Sequence, residues 1–185
     1  TNKSGLNIKA DSGISQVPEL RKESVWALTE DSSGTIWVGT YGSGIYKIRG
    51  TEVNHLDMEE RLSEHVILAL YTDSRGAVWI GAKSDGELRY RHGDWKQYTM
   101  ADGLPGNQVI SILEEKSGRY LFGTNRGMSI LENGEIHSFS EEEGLTNNQV
   151  RAFHKDESGT VWIGTYGSGL FRWKDNTFYN YTIND

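Results

Sequence analysis

The chain has 185 residues, 36% of them apolar, which is enough for one compact domain with a core. Its 19 basic and 26 acidic side chains give a formal charge of −7, which argues against non-specific binding to nucleic acid or anionic membranes. The absence of cysteine excludes disulfides, thiolate metal sites and cysteine nucleophiles, and no apolar run approaches the roughly 20 residues of a membrane-spanning helix.

The first 23 residues differ from the rest of the chain. Leu6–Ile8 is predicted to be the leftover fourth strand of a preceding repeat, as in a segment cut from a larger ring. Asp11-Ser-Gly-Ile14 looks like a later connecting segment, Asp102-Gly-Leu104. Residues 15–23 are predicted to be an inserted loop before the first strand of the next repeat.

From residue 24 onward, one strand–turn–strand signature occurs four times. Each copy runs from an acidic residue to a closing glycine: Asp31–Gly39, Asp73–Gly81, Glu115–Gly123 and Asp156–Gly164. The closing glycines are separated by 42, 42 and 41 residues. A fixed period near 40 residues, with several short strands per unit, is typical of a β-propeller. The chain is therefore divided into repeats 24–65, 66–108, 109–149 and 150–185.

Each repeat is predicted to contain four strands. The first begins at Val25, Ile67, Val109 or Val150, the second carries Trp37, Trp79, Leu121 or Trp162, and the third follows a glycine. The fourth strands are Val53–Leu56, Trp95–Tyr98, Ile136–Phe139 and Phe178–Tyr181. The acidic residue is expected to accept backbone hydrogen bonds in its turn, and the tryptophan column to fill the layers between blades. The predicted fold is all-β, a β-propeller of four-stranded antiparallel blades with four blades in this chain.

These repeats resemble the two-component regulator propeller repeat. The resemblance rests on the pattern Val-x-x-Leu-x-x-Asp-x-x-Gly-x-x-Trp-x-Gly-Thr-x-Gly-x-Gly-Leu, matched best by residues 150–173 and 25–46, whereas the third copy has Glu115 for Asp and Leu121 for Trp. It implies the periplasmic sensor region of a bacterial hybrid receptor or sensor-type diguanylate cyclase. In that family two propellers precede an immunoglobulin-like module, a membrane helix and signalling domains, and several members recognise glycan-derived oligosaccharides.

One face of the predicted propeller is a candidate ligand site. The loops between second and third strands and the connections between repeats emerge there, and tyrosine and asparagine offer the flat surface and hydrogen-bonding groups that sugar hydroxyls require. Arg151 replaces Trp26, Leu68 and Ile110 of the other repeats and is expected near the channel mouth. The candidate residues are Tyr41, His65, Lys83, Asp85, Asn107, Arg126, Asn148, Arg151 and Tyr166.

Each candidate also has a structural interpretation. The tyrosines can serve as packing residues, the asparagines can tie down loop backbones, and the charged side chains can form surface salt bridges. The five histidines show no metal-ligand spacing, and no nucleophile–base or paired-carboxylate arrangement is recognisable. The chain is therefore expected to be non-catalytic, with no cofactor and no metal.

Two kinds of partner are expected. One is an oligosaccharide or another polar small molecule; the other is a second copy of the chain, because a partial ring leaves strand edges or a blade face uncovered. Neither nucleic acid nor direct membrane contact is expected for this segment. Two alternative functions remain open at this point: a protein-interaction or self-assembling scaffold, and a carbohydrate-active lyase or hydrolase.

Overall fold

A computed structural model describes residues 5–10, 13–56, 61–62, 64, 66–139, 141–145, 149–174 and 176–181. They form eighteen β-strands and three short 3-10 helices, at Pro18–Leu20, Met100–Asp102 and Glu141–Glu143. No helix in these ranges is long and apolar enough to cross a membrane.

The strands form four four-stranded sheets and one two-stranded sheet. The two-stranded sheet is β1 (Asn7–Ala10) with β2 (Gly13–Gln16). The first sheet is β3 (Val25–Glu30), β4 (Ile36–Thr40), β5 (Ile45–Arg49) and β6 (Glu52–Leu56). The second is β7 (Ile67–Thr72), β8 (Val78–Ala82), β9 (Glu87–Arg91) and β10 (Asp94–Tyr98). The third is β11 (Val109–Lys116), β12 (Arg119–Thr124), β13 (Gly127–Glu132) and β14 (Glu135–Phe139). The fourth is β15 (Val150–Lys155), β16 (Val161–Thr165), β17 (Leu170–Lys174) and β18 (Thr177–Tyr181).

Each four-stranded sheet is an antiparallel meander in which every strand pairs with the next one in sequence. The first strands of consecutive sheets, β3, β7, β11 and β15, lie against one another, so the sheets are arranged as propeller blades around their first strands. The prediction of an all-β fold built from four-stranded antiparallel sheets is confirmed.

Consecutive sheets pack through unlike faces. The tryptophan side of one sheet contacts the opposite side of the next; for example, Trp37 packs with Ile80 and Leu88 of the second sheet. Trp79 packs with Tyr120 and Phe122 of the third sheet. Trp37, Trp79 and Leu121 are at most 2% exposed, which confirms their predicted role in the layers between sheets, whereas Trp162 of the fourth sheet is only partly buried.

The closing glycine of the signature allows this close approach. A Cβ atom added to Gly39 would lie 2.6 Å from the Cγ2 of Ile67, and one added to Gly123 would lie 2.7 Å from the Cγ1 of Val150. Both contacts are with the first residue of the next sheet's first strand. Glycine is required at these positions because a side chain would push neighbouring sheets apart.

The acidic turn residue is bonded as predicted in three of the four repeats, whereas the Glu115 carboxylate of the third repeat pairs with Arg119. In the first sheet Asp31 Oδ1 accepts hydrogen bonds from the Ser33 and Thr35 backbone amides, at 2.9 and 3.1 Å. Its Oδ2 accepts a further hydrogen bond from the indole Nε1 of Trp37 at 2.8 Å, which the sequence did not suggest. The same indole bond occurs at 2.8 Å between Trp79 and Asp73 and between Trp162 and Asp156.

The amino-terminal segment differs from the prediction. It is a hairpin in which β1 pairs with β2, whereas only the first of these strands was predicted and Ser15–Gln16 was placed in a loop. Ile14 is 75% exposed, so it is not the counterpart of the buried Leu104. Leu20 has that position: it is fully buried against Val38 and Ile48 of the first sheet, and it precedes Val25 by five residues, as Leu104 precedes Val109.

Candidate functional site

The first strand of every four-stranded sheet contains a β-bulge. Pairing with the second strand shifts between Val25 and Ala27, and at the equivalent places in the other three sheets. The extra residue at the bulge is Trp26, Leu68, Ile110 or Arg151. Because a bulge redirects the side chain of its extra residue, these four side chains turn away from the layers between the sheets.

The four bulge residues line one cavity of about 200 Å³. Tyr41, Lys83 and Gln108 complete its lining, so all four sheets contribute to the same site. Arg151 therefore lies in the same cavity as the three residues that it replaces in the other repeats. We call this cavity the channel mouth.

A repeated backbone hydrogen bond fixes the loops at the channel mouth. The amide of the residue after each second strand donates to the carbonyl just before the first strand: Tyr41 to Ser24 at 2.9 Å, Lys83 to Val66 at 3.1 Å, Asn125 to Gln108 at 3.2 Å, and Tyr166 to Gln149 at 2.9 Å. These bonds hold the side chains of residues 41, 83, 125 and 166 beside the first strands.

Two aromatic side chains at the channel mouth are exposed and in contact. The Trp26 and Tyr41 rings lie 5.0 Å apart at 34°, and they are 57% and 45% exposed. The indole Nε1 of Trp26 donates to the Ser24 hydroxyl at 3.1 Å, which orients the ring. Together the two rings form a tilted apolar surface beside polar groups.

Two cations flank this aromatic surface. Lys83 Nζ lies 5.8 Å from the Tyr41 ring centre and 2.8 Å from the Glu64 carboxylate. The hydrogen bond that Lys83 donates to Glu64 and the negative charge of Glu64 raise the pKa of Lys83, so its ammonium group stays charged at neutral pH. Arg151 donates to Gln149 Oε1 at 2.7 Å and lies 5.3 Å from the Tyr166 ring centre.

A shallower depression of about 390 Å³ adjoins the channel mouth and shares Lys83 and Gln108 with it. Asn107 and Arg126 line this depression. The side-chain oxygen of Asn107 accepts a hydrogen bond from the Met100 amide at 2.8 Å, so this asparagine ties down its loop, which is one of its two predicted interpretations. Arg126 is exposed and faces solvent.

The candidates from the sequence thus fall into groups. Tyr41, Lys83 and Arg151 line the channel mouth, Tyr166 packs beneath Arg151, and Asn107 and Arg126 border the adjoining depression. Asp85 lines neither; its backbone carbonyl accepts a hydrogen bond from Gln97 at 2.8 Å. His65 and Asn148 lie outside the described residues.

Four residues that line the channel mouth were not among the candidates: Trp26, Leu68, Gln108 and Ile110. Trp26 occupies the same repeat position as Arg151, but only Arg151 was predicted to lie near the channel mouth. Across the described ranges, no three side chains of His, Asp or Glu come together in a way that would hold a metal ion.

Comparison with known proteins confirms the resemblance found in the repeats. Residues 19–42 and 144–167 match the sequence model described as two component regulator propeller. Both matches begin one residue before the buried leucine of the connecting segment, Leu20 or Leu145. No curated protein matches the chain at a significant level.

Solved structures with a similar fold come from several kinds of protein. A catalytically inactive virginiamycin B lyase from Staphylococcus aureus, solved with quinupristin, has a TM-score of 0.80 at 16% identity over 98% of this chain and 64% of the lyase. PorZ of the Porphyromonas gingivalis type-IX secretion system has a TM-score of 0.74 at 13% identity over 100% of this chain and 32% of PorZ. The extracellular domain of a putative hybrid two component system from B. thetaiotaomicron has a TM-score of 0.46 at 21% identity over 84% of this chain and 29% of that domain. The chain thus spans less than two thirds of each of these proteins, and the first two likenesses show the fold alone.

Proposed function

Because the chain carries two-component regulator propeller repeats, we propose that it is a non-catalytic sensor segment that binds a polar ligand outside the cytoplasm. The observation that supports this proposal is the channel mouth, where an exposed Trp26–Tyr41 pair lines the same cavity as Lys83 and Arg151. We further propose that the four four-stranded sheets are four blades. The β1–β2 hairpin then corresponds to the outer two strands of a further blade, since two residues separate its strands as they do β9 and β10.

An oligosaccharide is the ligand class that this site suits. A sugar ring has an apolar face, which stacks on an indole or phenol ring, and a rim of hydroxyls, which both donate and accept hydrogen bonds. The channel mouth offers two exposed aromatic rings, the amide of Gln108 and the cationic donors of Lys83 and Arg151. Its aromatic surface is open to solvent, so a ligand can reach it without a rearrangement of the sheets.

Thermal-shift screening with neutral and acidic oligosaccharides, followed by calorimetric titration, tests the proposal. A ligand at one hundred times its dissociation constant stabilises the folded chain by about 2.7 kcal/mol, which raises the melting temperature measurably. Trp26→Ala and Arg151→Ala are each expected to weaken the affinity about tenfold, equivalent to about 1.4 kcal/mol. Ile14→Ala and Arg49→Ala are controls, because Ile14 is 75% exposed and neither residue lines the channel mouth. If no oligosaccharide raises the melting temperature, or if Trp26→Ala binds like the wild type, the proposal is wrong.

The absence of catalysis is a separate part of the proposal. The lyase among the structural neighbours shares only the fold at its 16% identity, so its activity gives no support for chemistry here. Incubation of each bound oligosaccharide with the protein, followed by chromatography of the products, is expected to return the ligand intact. Turnover of a bound sugar would assign the site to an enzyme.

A second candidate function, self-assembly, rests on a different observation. The tryptophan face of the fourth sheet, formed by Trp162, Gly164, Leu170, Tyr179 and Tyr181, is not covered by any described residue as its counterparts are. Leu170, Tyr179 and Tyr181 are 40%, 46% and 39% exposed. We propose that a second copy of this chain covers this face. The same kind of face is already an interface three times within the chain, between each pair of consecutive four-stranded sheets.

A further inference from the structure

A second cavity lies at the other end of the sheets from the channel mouth. Its volume is about 330 Å³, and it lies between the second and third sheets. The turns that border it join β7 to β8, β11 to β12 and β13 to β14, and it includes Arg75, Gly118 and Asn133 from those turns. In an antiparallel meander these turns lie opposite the loops that carry Lys83 and Arg126. We call this cavity the turn-side cleft.

Four cationic side chains line the turn-side cleft: Arg75, Arg89, Arg91 and Lys96. Among the residues that the structure describes, none of the four has a carboxylate within ion-pair distance. This concentration of positive charge stands out in a chain with a formal charge of −7. It creates a local potential that attracts anions.

The two acidic residues of the cleft are engaged elsewhere. Asp73 Oδ2 accepts hydrogen bonds from the Trp79 indole and the Tyr120 hydroxyl, both at 2.8 Å. Glu132 pairs with Lys116 at 3.0 Å and with Arg119 at 3.4 Å. Among the described residues, neither carboxylate forms an ion pair with any of the four cations.

The cations are held close to one another by the sheet. Arg89 and Lys96 are directly opposite each other in the β9–β10 pairing, and such like-charge pairs destabilise a sheet. The Nε atom of Arg89 is buried and has no hydrogen-bond partner among the described residues. An anion in the cleft would relieve the repulsion between the two cations and offset the cost of leaving a charged group partly buried without a partner.

The Arg75 guanidinium is positioned by the neighbouring turn. Its Nε donates to the Ser117 hydroxyl at 3.2 Å, and its Nη2 would lie 2.6 Å from a Cβ atom added to Gly118. The guanidinium therefore lies flat against a glycine, with its remaining N–H groups available to the cleft. A planar fork of N–H donors matches the oxygens of a phosphate or sulfate group.

Two of the four cations are departures from the repeat. Arg75 stands where the other repeats have Ser33, Ser117 and Ser158. Lys96 stands where they have Asn54, His137 and Tyr179. Residues that maintain the scaffold recur in the repeats, so two cations that occur only in the second repeat indicate a role specific to this cleft.

We propose that the turn-side cleft is an anion-binding site for a phosphate or sulfate group. The group is either a free ion or an ester carried by a larger ligand, and both present the same tetrahedral oxyanion to Arg75, Arg89 and Lys96. This site is separate from the channel mouth, so it goes beyond the proposed sensing of a polar ligand there.

Calorimetric titration at low ionic strength with inorganic phosphate, inorganic sulfate and sodium chloride tests this site. Phosphate or sulfate is expected to bind with saturation, whereas chloride at equal ionic strength gives no saturable heat. Arg75→Ser and Lys96→Asn, which introduce residues found in the other repeats, are each expected to weaken binding at least fivefold. Arg49→Ser, an exposed arginine outside the cleft, is the matched control.

Glucose 6-phosphate, glucose 6-sulfate and glucose distinguish the sources of the oxyanion. Tighter binding of an ester than of its free ion identifies an esterified ligand, and the reverse identifies the free ion. The proposal is overturned if every oxyanion, like chloride, gives no saturable heat. It is also overturned if the folded variants Arg75→Ser and Lys96→Asn bind phosphate and sulfate with the wild-type affinity. Trp26→Ala is expected to leave anion binding intact, which separates this result from the outcome at the channel mouth.

Discussion

At the residue scale, the acid and the tryptophan of the repeat signature form one unit. Three repeats contain the hydrogen bond between the carboxylate and the indole. The third repeat lacks both partners together: Leu121 replaces the tryptophan, and Glu115 forms an ion pair with Arg119 at 3.0 Å. The joint replacement follows physically, because an indole donor in the layer between sheets needs an acceptor.

The carboxylate of Asp31 is expected to make stability depend on acid. Partial burial raises its pKa, but hydrogen bonds from the Ser33 hydroxyl, the Trp37 indole and nearby backbone amides outweigh that effect and lower the pKa to about 2. Because folding lowers this pKa from 3.8, the stabilisation is complete above pH 3.8 and is lost as the pH falls toward 2. Asp31→Asn should reduce the unfolding free energy at pH 6 by about 1 kcal/mol, a modest value because the carboxylate is half-exposed.

Urea unfolding of wild type and Asp31→Asn at pH 6 and at pH 2.5 measures this effect. The difference between them should shrink at the lower pH, where the wild-type carboxylate is increasingly protonated. Asp94→Asn, at an exposed carboxylate that begins β10, is the control. An equal difference at both pH values would mean that the charge of Asp31 contributes nothing.

Glu87 is expected to produce the opposite pH dependence. Its side chain is fully buried between the second and third sheets, where a contact with the Ile80 backbone, outside ordinary hydrogen-bond geometry, opposes the effect of burial on its pKa. Burial raises the pKa of Glu87 well above its usual 4.5. The folded state therefore holds a proton that the unfolded state releases, so stability falls as the pH rises above 4.5.

Replacement by an apolar residue should remove this pH dependence. Glu87→Met, which introduces the residue found at the equivalent position 128, is expected to raise the unfolding free energy at pH 8 by about 1–3 kcal/mol. The gain should be smaller at pH 4.5, when both are compared with wild type by urea unfolding. Glu135→Met, at an exposed carboxylate, controls for the general effect of losing a charge. A gain that does not change with pH would show that Glu87 does not titrate in this range.

At the element scale, the repeats predicted most of the strands. Every first strand begins at its predicted residue, and the fourth strands agree with their predicted bounds to within one residue. This success has a physical basis: each of these strands is bordered by a turn whose chemistry can be read locally, such as the acidic turn residue or a glycine. Four copies of the same turns also align the strands with one another.

Elements without a repeat copy to compare were predicted less well. The strand Gly13–Gln16 is exposed along its length, so its sequence has no burial pattern to indicate a strand. Leu20 lacks the preceding glycine of Leu104 and Leu145, so the motif pointed to Ile14 instead. The spacing of five residues to the next strand would have identified Leu20 correctly.

The sequence predicted some residues of the candidate sites and missed others. Arg151 was identified because it departs from an apolar series, but Trp26 belongs to the same series and was not. A β-bulge turns all four residues toward the channel, and a bulge leaves no mark in a single sequence. The turn-side cleft was missed because its cations come from turns and outer strands that the sequence had assigned to the scaffold.

At the scale of the whole molecule, the fourth sheet differs from the other three because no described sheet packs on its tryptophan face. The closing glycines 39, 81 and 123 each face an atom of the next sheet at 2.7 Å or less, measured from an added Cβ. At Gly164 the nearest atom beyond the chain neighbours is the Cβ of Ala152, 3.8 Å away and within the same sheet. Gly164 is therefore the same residue that allows close packing between the other sheets, but it lies on a face that no described residue covers.

This difference allows a substitution that blocks assembly without disturbing the fold. Gly164→Val has room for its side chain, and valine suits a strand, so at a protein concentration too low for association the variant should unfold at the same urea concentration as wild type. In contrast, Gly39→Val should be strongly destabilised because its side chain would collide with Ile67. The two variants separate a glycine needed for folding from a glycine needed for association.

If a second copy covers the fourth sheet, sedimentation velocity across micromolar concentrations should show a concentration-dependent dimer for the wild type. Gly164→Val should shift this equilibrium toward the monomer by at least tenfold, because its side chain prevents the close approach that the closing glycines allow elsewhere. Glu52→Val, which adds the same side chain to an exposed strand of the first sheet, should associate like the wild type. A monomeric wild type would contradict assembly through this face, and so would a Gly164→Val variant that dimerises unchanged.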